Sequence, residues 1–444
     1  ETLIHSRRFA SMDNPHMAGI RYEVTPLNYS GKIEIRSDLS GDHINDGVAR
    51  YRSLNQKHLE AVKEGHRDEI QFIEVKTSQS AIHIAAAARI TAELNKEEIR
   101  PYTHQETSPA RTSTMISHHV DQGQAIALVK RCSIYRSDDE GFDDPLGAAI
   151  GTLENLPGFQ DLLEASISAW EKIWRKADIR LEGDRLAQKL LRLHIYHMIV
   201  SISPHNAGID AGIPARGLHG EAYRGHIFWD EIYILPFYYM HFPRAAKAVL
   251  NYRFNRLEEA RKYANEYNEH GAMFPWQSGS DGREETQVIH LNPVSGEWGP
   301  DHSSLQRHVS LAIAYNVIEY FHYTEDESFL EHGAELLIEI SRFWAGKAFI
   351  DDKTGRFSIQ GVMGPDEFHE KYPGAKEGGL KDNAYTNLMT VWVLRKTDDL
   401  LNRLNEKQKR DIFDKLGFDE KERKKWDEIS RHINLPIADN GIIA

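Results

Sequence analysis

Between Pro214 and Glu231 the chain reads Pro-Ala-Arg-Gly-Leu-His-Gly-Glu-Ala-Tyr-Arg-Gly-His-Ile-Phe-Trp-Asp-Glu. These eighteen residues hold three glycines, two arginines, two histidines, three aromatics and three carboxylates. Recognition of a sugar needs this mixture. An indole plane covers the apolar C–H face of a pyranose ring, while carboxylate and guanidinium groups each hold two neighbouring hydroxyls. The structural alternative is a turn with Phe228 and Trp229 in the core and Arg224 paired to a surface acid. For an isolated Trp-Asp that alternative would win, but this density of glycines and ionisable groups favours a binding site.

Three further stretches carry similar chemistry. In Met273–Glu285, Trp276 offers a second stacking wall, and Arg283 with Glu284 could contact hydroxyls; an exposed turn made by Gly279 to Gly282 is an equal reading. Val294–His302 leads towards Gln306 and His308 and says little, since its histidines lack the carboxylate-rich spacing of a metal site. In Gly361–His369, the rigid Gly364-Pro365 turn can present Asp366 or Glu367 to a cavity. Phe368 beside them supplies apolar surroundings of the kind that raise a carboxyl pKa, as a general acid requires. Taken alone, Pro-Asp-Glu reads equally as a helix cap beside a solvated acid.

The composition narrows the alternatives. The 444 residues carry 54 Lys and Arg against 67 Asp and Glu, a formal net charge of −13 at pH 7. That balance argues against DNA, RNA or an anionic membrane as main partner, because phosphate neutralisation needs clustered cations. The single cysteine, Cys132, excludes an intrachain disulfide and thiolate-rich metal centres. The most apolar stretch, Tyr233 to Phe242, is far too short to span a bilayer. No signal peptide is visible, so a cytoplasmic setting is expected, while a leader upstream of Glu1 stays open.

The elements that position these stretches change character part-way along. From Arg21 to about Arg136 apolar residues alternate with period two, as in Ile20, Tyr22 and Val24, then Ile33 and Ile35. The runs 70–75, 81–90, 115–120 and 125–134 continue the pattern, which predicts antiparallel sheets and a β-sandwich. A polar, acidic break over Arg136–Pro145 marks a boundary. Beyond it the period becomes 3.6: a linker helix over 159–174, then helices at 186–203, 228–240, 244–268, 303–322, 330–344 and 384–405. Thr324 and Glu327 have capping-box spacing ahead of the helix from Leu330. Long helices joined by Gly/Pro/aromatic-rich loops suggest a helical toroid whose loops carry the site at one end.

In order, the motifs Arg216–Asp230, Phe274-Pro-Trp276, Gly361–His369 and Asp382-Asn-Ala-Tyr-Thr-Asn387, with Arg21–Gly31 upstream, resemble glycoside hydrolase family 65, the family of maltose, trehalose and kojibiose phosphorylases. The resemblance implies part of an N-terminal β-sandwich over 1–145, a helical linker over 146–180 and an (α/α)₆ barrel over 181–444, cut short at its C-terminal side. It also implies that the family's Lys-Gln-Ala-Asp stretch and phosphate-binding loop lie beyond residue 444, leaving some helix faces unpaired.

Carried over by motif, Glu367 matches the general acid, and Trp229 and Asp230 match residues that grip the glucosyl unit. Trp276 matches a neighbouring aromatic, and Arg224 and His226 match flanking positions. The implied reaction is cleavage of an α-linked glucosyl disaccharide with inversion. Inorganic phosphate would be the nucleophile and only co-substrate, with no cofactor or metal. Its products are β-glucose 1-phosphate and a free sugar; a homodimer is compatible with this.

Two features depart from the pattern: Asp230 runs directly into Glu231, without the Thr found between Trp-Asp and Glu in the phosphorylases, and the loop 277–286 differs. Both fall near the sugar subsites and leave the linkage open. They also leave open a hydrolase of kojibiose or trehalose type, for which Glu221, Glu231 and Glu284 are the nearby candidate bases, and a non-catalytic sugar-binding protein.

Overall fold

A computed structural model describes residues 1–444 apart from 155, 219, 293, 366–368, 444 and the side chain of Arg50. The chain divides into two compact units, Glu1–Arg180 and Leu181–Ala444.

The first unit is built from strands β1 (Thr2–Ala10), β2 (Met17–Pro26), β3 (Gly31–Ser40), β4 (Leu59–Arg67), β5 (Ile70–Thr77), β6 (His83–Leu94), β7 (Glu97–Ile99), β8 (Tyr102–Ser108), β9 (Arg111–Val120) and β10 (Ile126–Arg136), followed by helices α1 (Pro145–Glu154) and α2 (Phe159–Ala177). One sheet has the order β1-β2-β10-β6-β5-β4 with β7 added on β6, and the other the order β3-β9-β8. Every pairing is antiparallel.

Period two decides the packing. Ile126, Leu128 and Cys132 of β10 and Ala88, Ile90 and Ala92 of β6 meet Ile35 and Ile116 of the opposite sheet. The alternate residues Ala85, Ala87 and Tyr135 face the other way, under Leu146, Ala149, Ile150 and Leu153 of α1. Small alanines let a helix lie close on that face, so the large sheet is buried on both sides. The Lys130 Nζ donates to the Asp38 carbonyl at 2.7 Å and joins the two sheets.

The second unit is helical: α3 (Arg185–Ser201), α4 (Glu231–His241), α5 (Pro243–Asn255), α6 (Leu257–Glu266), α7 (Val309–Thr324), α8 (Leu330–Lys347), α9 (Ala384–Leu401), α10 (Glu406–Leu416) and α11 (Glu420–His432). In α7 and α8 residues on every side are buried, as expected of helices inside a core. Two glutamates go in with α8, and both are paired. Glu335 and Glu339 meet Arg261 of α6 at 3.0 and 3.1 Å, Lys415 of α10 reaches Glu335 at 2.6 Å, and Arg342 reaches Glu339 at 2.7 Å. By contrast α3 shows Leu186, Leu190 and Leu193 to solvent. Among the described residues no helix is long and apolar enough to cross a membrane.

Two sequence expectations change. The helix read over 244–268 is two helices, because Arg256 takes non-helical angles and turns its guanidinium onto the carbonyls of Ser280 and Tyr252 and the carboxylate of Asp210. The Thr324–Glu327 box does not form. Asp326 caps a short 3₁₀ turn, Glu327–Phe329, through the Ser328 N–H, while the Thr324 hydroxyl bonds back to Tyr320 O.

Candidate active site

The stretch Pro214–Glu231 folds as a loop that enters α4. Tyr223, Arg224 and Gly225 all take positive φ, at 63°, 55° and 72°. For the two non-glycine residues this costs roughly 1–2 kcal/mol each. The turn they make reverses the chain just ahead of His226, and the next residues plunge inward. Ile227 then exchanges reciprocal backbone bonds of 2.9 Å with Ser278, which joins this loop to the one carrying Trp276. Phe228 is buried beneath, edge-on to Tyr223 at 5.1 Å and to Trp276 at 5.5 Å.

The joined loops bring the two tryptophans together. Trp229 and Trp276 are half-buried, with ring centroids 6.3 Å apart and planes at 45°. Three rings extend this surface: Tyr233 at 5.5 Å from Trp229, His308 at 4.8 Å from Trp229 and 5.2 Å from Trp276, and Tyr385 at 6.0 Å from His308. Desolvation pushes the Tyr385 hydroxyl up to about 12. Such an array of tilted rings presents apolar faces to a flat, amphipathic ligand.

Asp230 supplies the charge. It is half-buried beside Trp229 at the N-cap position of α4, but its side chain makes no cap bond. Among the described residues it has no ion-pair partner within 4.0 Å. Burial raises its pKa, opposed by the guanidinium of Arg216. A carboxylate left with acceptor capacity beside an indole is equipped to take hydrogen bonds from hydroxyls.

The remaining candidates divide. His226 is 2.6 Å from the Gln277 amide, a contact that links the two loops, and burial with help from Arg224 lowers its pKa to about 4. Arg224 donates to the carbonyl of Glu285 at 3.1 Å. Arg283 points to solvent and pairs with Asp281 at 2.7 Å. Glu284 is turned into its own loop, where it accepts from the N–H groups of Trp276, Gln277 and Thr286 and from the Thr286 hydroxyl. With the Tyr263 hydroxyl of α6 donating at 3.2 Å as well, its carboxylate is committed to fixing the Trp276 loop.

Glu231 is likewise structural. It is 2% exposed, and its carboxylate takes Nε and Nη2 of Arg253 at 3.0 and 2.8 Å. Burial raises its pKa, and Arg253 offsets part of that rise. The same Nη2 also donates to Phe228 O at 2.9 Å. This buried pair anchors the first turn of α4 and thus the backbone that carries Trp229 and Asp230.

Asp366, Glu367 and Phe368 lie outside the described residues. The segments on either side are held firmly. Met363 N bonds Leu305 O at 2.9 Å, and Gly364 N bonds His369 O at 3.3 Å. A Cβ on Gly364 would fall 2.8 Å from His369 Nδ1 and 2.9 Å from Asn383 Nδ2, so a larger residue would have to push these side chains aside. Asp382 and the fully buried Asn387 bond each other, Ser358, Ile359 and Asn434. In the Asp382–Asn387 motif both ends thus hold the scaffold, Asn383 caps α9, and Tyr385 joins the aromatic array. Among the described residues no cluster of His, Cys, Asp and Glu is arranged to hold a metal.

His308 was singled out by the sequence only as part of an uninformative stretch, and Tyr233 and Tyr385 were given no role. A lone histidine ahead of an apolar helix carries no local signal. Only the juxtaposition of loops 214–231, 273–286 and 302–308 with α9 places it in the site.

The N-terminal domain of glycosyl hydrolase family 65 matches residues 1–173, and the central catalytic domain of that family matches residues 192–444. The chain belongs to glycosyl hydrolase family 65. Among curated relatives, an uncharacterised glycosyl hydrolase of Mycobacterium tuberculosis is 40% identical over the whole of this chain, which covers 33% of that protein. The trehalose 6-phosphate phosphorylase of Lactococcus lactis is 39% identical over 98% of the chain and 54% of its own length. The kojibiose phosphorylase of Caldanaerobacter subterraneus is 33% identical over 98% and 56%. The chain thus spans a third to about half of the length of these relatives. A solved structure of a candidate kojibiose phosphorylase from the human microbiome superposes with a TM-score of 0.82, covering all of this chain and 55% of that one at 23% identity. That likeness shows the fold.

Proposed function

We propose that the protein is an inverting phosphorylase of an α-linked glucosyl disaccharide, and that its helical unit is part of an (α/α)₆ barrel with the site in the loops at one end. Trp229 and Trp276 cover the faces of the glucosyl ring, and Asp230 accepts from its hydroxyls. Glu367, assigned by its motif, gives its proton to the leaving oxygen as the C1–O bond breaks. An oxygen of inorganic phosphate forms the new bond to C1 from the opposite face, so β-glucose 1-phosphate and the free acceptor sugar result. Phosphate is a co-substrate, and no cofactor is involved.

The observation that carries this reading is the pair of tilted tryptophans with an unpaired, half-buried Asp230 between the loops of a family 65 chain. The phosphorylases among its relatives support phosphate rather than water as the nucleophile. An inverting hydrolase needs a second carboxylate roughly 6.5–9.5 Å from the acid to activate water. Glu231 and Glu284, two of the three candidates in the sequence, are both engaged by scaffold partners. Phosphate arrives already anionic and needs no such base.

The test is incubation of the full-length protein with kojibiose, trehalose, trehalose 6-phosphate, maltose and nigerose, with and without inorganic phosphate. Phosphate-dependent β-glucose 1-phosphate from one of them is expected. Equal glucose release in phosphate-free buffer would replace this reading with a hydrolase, and protection by glucose without any turnover would replace it with a binding protein.

A further inference from the structure

His308 directly precedes α7 and is 1% exposed, yet neither ring nitrogen has a hydrogen-bond partner. Its nearest rings are the edge-on Trp229, the tilted Trp276 and the edge-on Tyr385, the rings of the aromatic surface described above. A buried imidazole with both nitrogens unsatisfied costs free energy that a packing role does not return, since a Phe or Leu would fill the space without that loss. A water is poorly held there, because it needs two to four polar partners and the surrounding walls are aromatic.

We infer that His308 is a specificity-determining residue that hydrogen-bonds a hydroxyl of the bound glucosyl ring from between the two tryptophans and Tyr385. The inference rests on the glucosyl-site reading above. A hydroxyl is the matching chemistry, for it donates and accepts at once. Desolvation lowers the ring's pKa to about 3, so the imidazole is neutral near pH 7 and offers one donor and one acceptor nitrogen. A sugar that brings its hydroxyl to this ring satisfies a group that is otherwise stranded. One that lacks or inverts that hydroxyl leaves the group unpartnered, which is how a polar site disfavours a near-isostere.

The experiment is a cycle of kcat/KM values on the full-length enzyme. Wild type and His308→Phe are each assayed with the accepted disaccharide and with its monodeoxy analogues at each glucosyl hydroxyl. In wild type one analogue should lose about 10- to 100-fold, the range for a stranded buried polar group. In His308→Phe, already slowed on the parent sugar by a similar factor, that analogue should lose little more, while the other positions behave as in wild type. Equal losses in both proteins at every position would overturn the role of His308 and leave the glucosyl-site reading intact. No turnover of any α-glucoside by wild type would overturn both. If His308→Phe does not fold, His308→Gln takes its place and assigns the histidine ring nitrogen signals in the NMR spectrum of the wild type. A His308 signal that does not move on addition of glucose to wild type would also refute the inference.

Discussion

Replacing Glu231 by Gln separates a scaffold role from a catalytic one. In the folded chain its carboxylate takes two bonds from Arg253, and that guanidinium is 1% exposed. Glu231→Gln keeps the shape but leaves Arg253 with an uncompensated charge that water cannot reach. Breaking a buried pair in this way typically costs about 3–5 kcal/mol. With roughly 2–4 °C per kcal/mol for units of this size, the apparent Tm of the helical unit should fall by about 6–20 °C. A second substitution should recover much of the loss. Glu231→Leu combined with Arg253→Met removes both charges and fills the space, and such replacements are often neutral. Scanning calorimetry on wild type, Glu231→Leu, Arg253→Met and the double variant gives the coupling directly. Below its transition the Glu231→Gln protein should keep most of its kcat. A variant that melts with wild type but loses turnover would refute the scaffold assignment and make Glu231 the base of a hydrolase. Additive effects in the cycle would refute the pairing.

Three other outcomes are expected. Glu367→Gln should lower turnover of an unactivated disaccharide by about 10²–10⁴-fold, with a much smaller loss on glucosyl fluoride, whose leaving group needs no proton; near-normal disaccharide turnover would rule out the acid. Asp230→Asn and Trp229→Ala should each cost on the order of 2–4 kcal/mol in kcat/KM, visible in kcat as well as KM, as for loss of a preorganised transition-state contact; a change confined to KM would contradict this. Burial holds His308 and His226 at about 3 and about 4, below their ordinary 6.5, so between those values and 6.5 the unfolded chain binds protons that the folded chain refuses. Stability should therefore fall as pH drops through that window, by at most about 1.4 kcal/mol per pH unit for His308; Tm measured from pH 7 to 4 should show a shallower slope in His308→Phe, and an unchanged slope would contradict the burial.

How much of this could be read from the chain alone depended on the range of the interactions. Alternation at Ile33 and Ile35 was readable because one side of β3 faces the core and the other faces water. The strands β1 and β8 escaped notice because both are largely exposed and have no apolar face to alternate. Trp229 and Trp276 were legible as separate candidates for a stacking wall, but nothing local says that Ile227 and Ser278 bond each other and bring them together. Glu231 looked like Asp230 in sequence; the difference between them is Arg253, which comes from α5 and reaches only one of the two. The same holds for Glu284, whose partners are the backbone amides and the Thr286 hydroxyl of its own loop and the Tyr263 hydroxyl of α6.

The pocket is held unequally around its circumference. His308 immediately precedes α7, a helix buried on every side, whereas Trp229 and Trp276 stand on loops fastened to each other by the bonds between Ile227 and Ser278. Amides within α7 should exchange with deuterium only when the whole helical unit opens, while those flanking the tryptophans exchange through local excursions. In the binding cycle proposed above, motion would then concentrate in the two tryptophan loops while α7 holds its place.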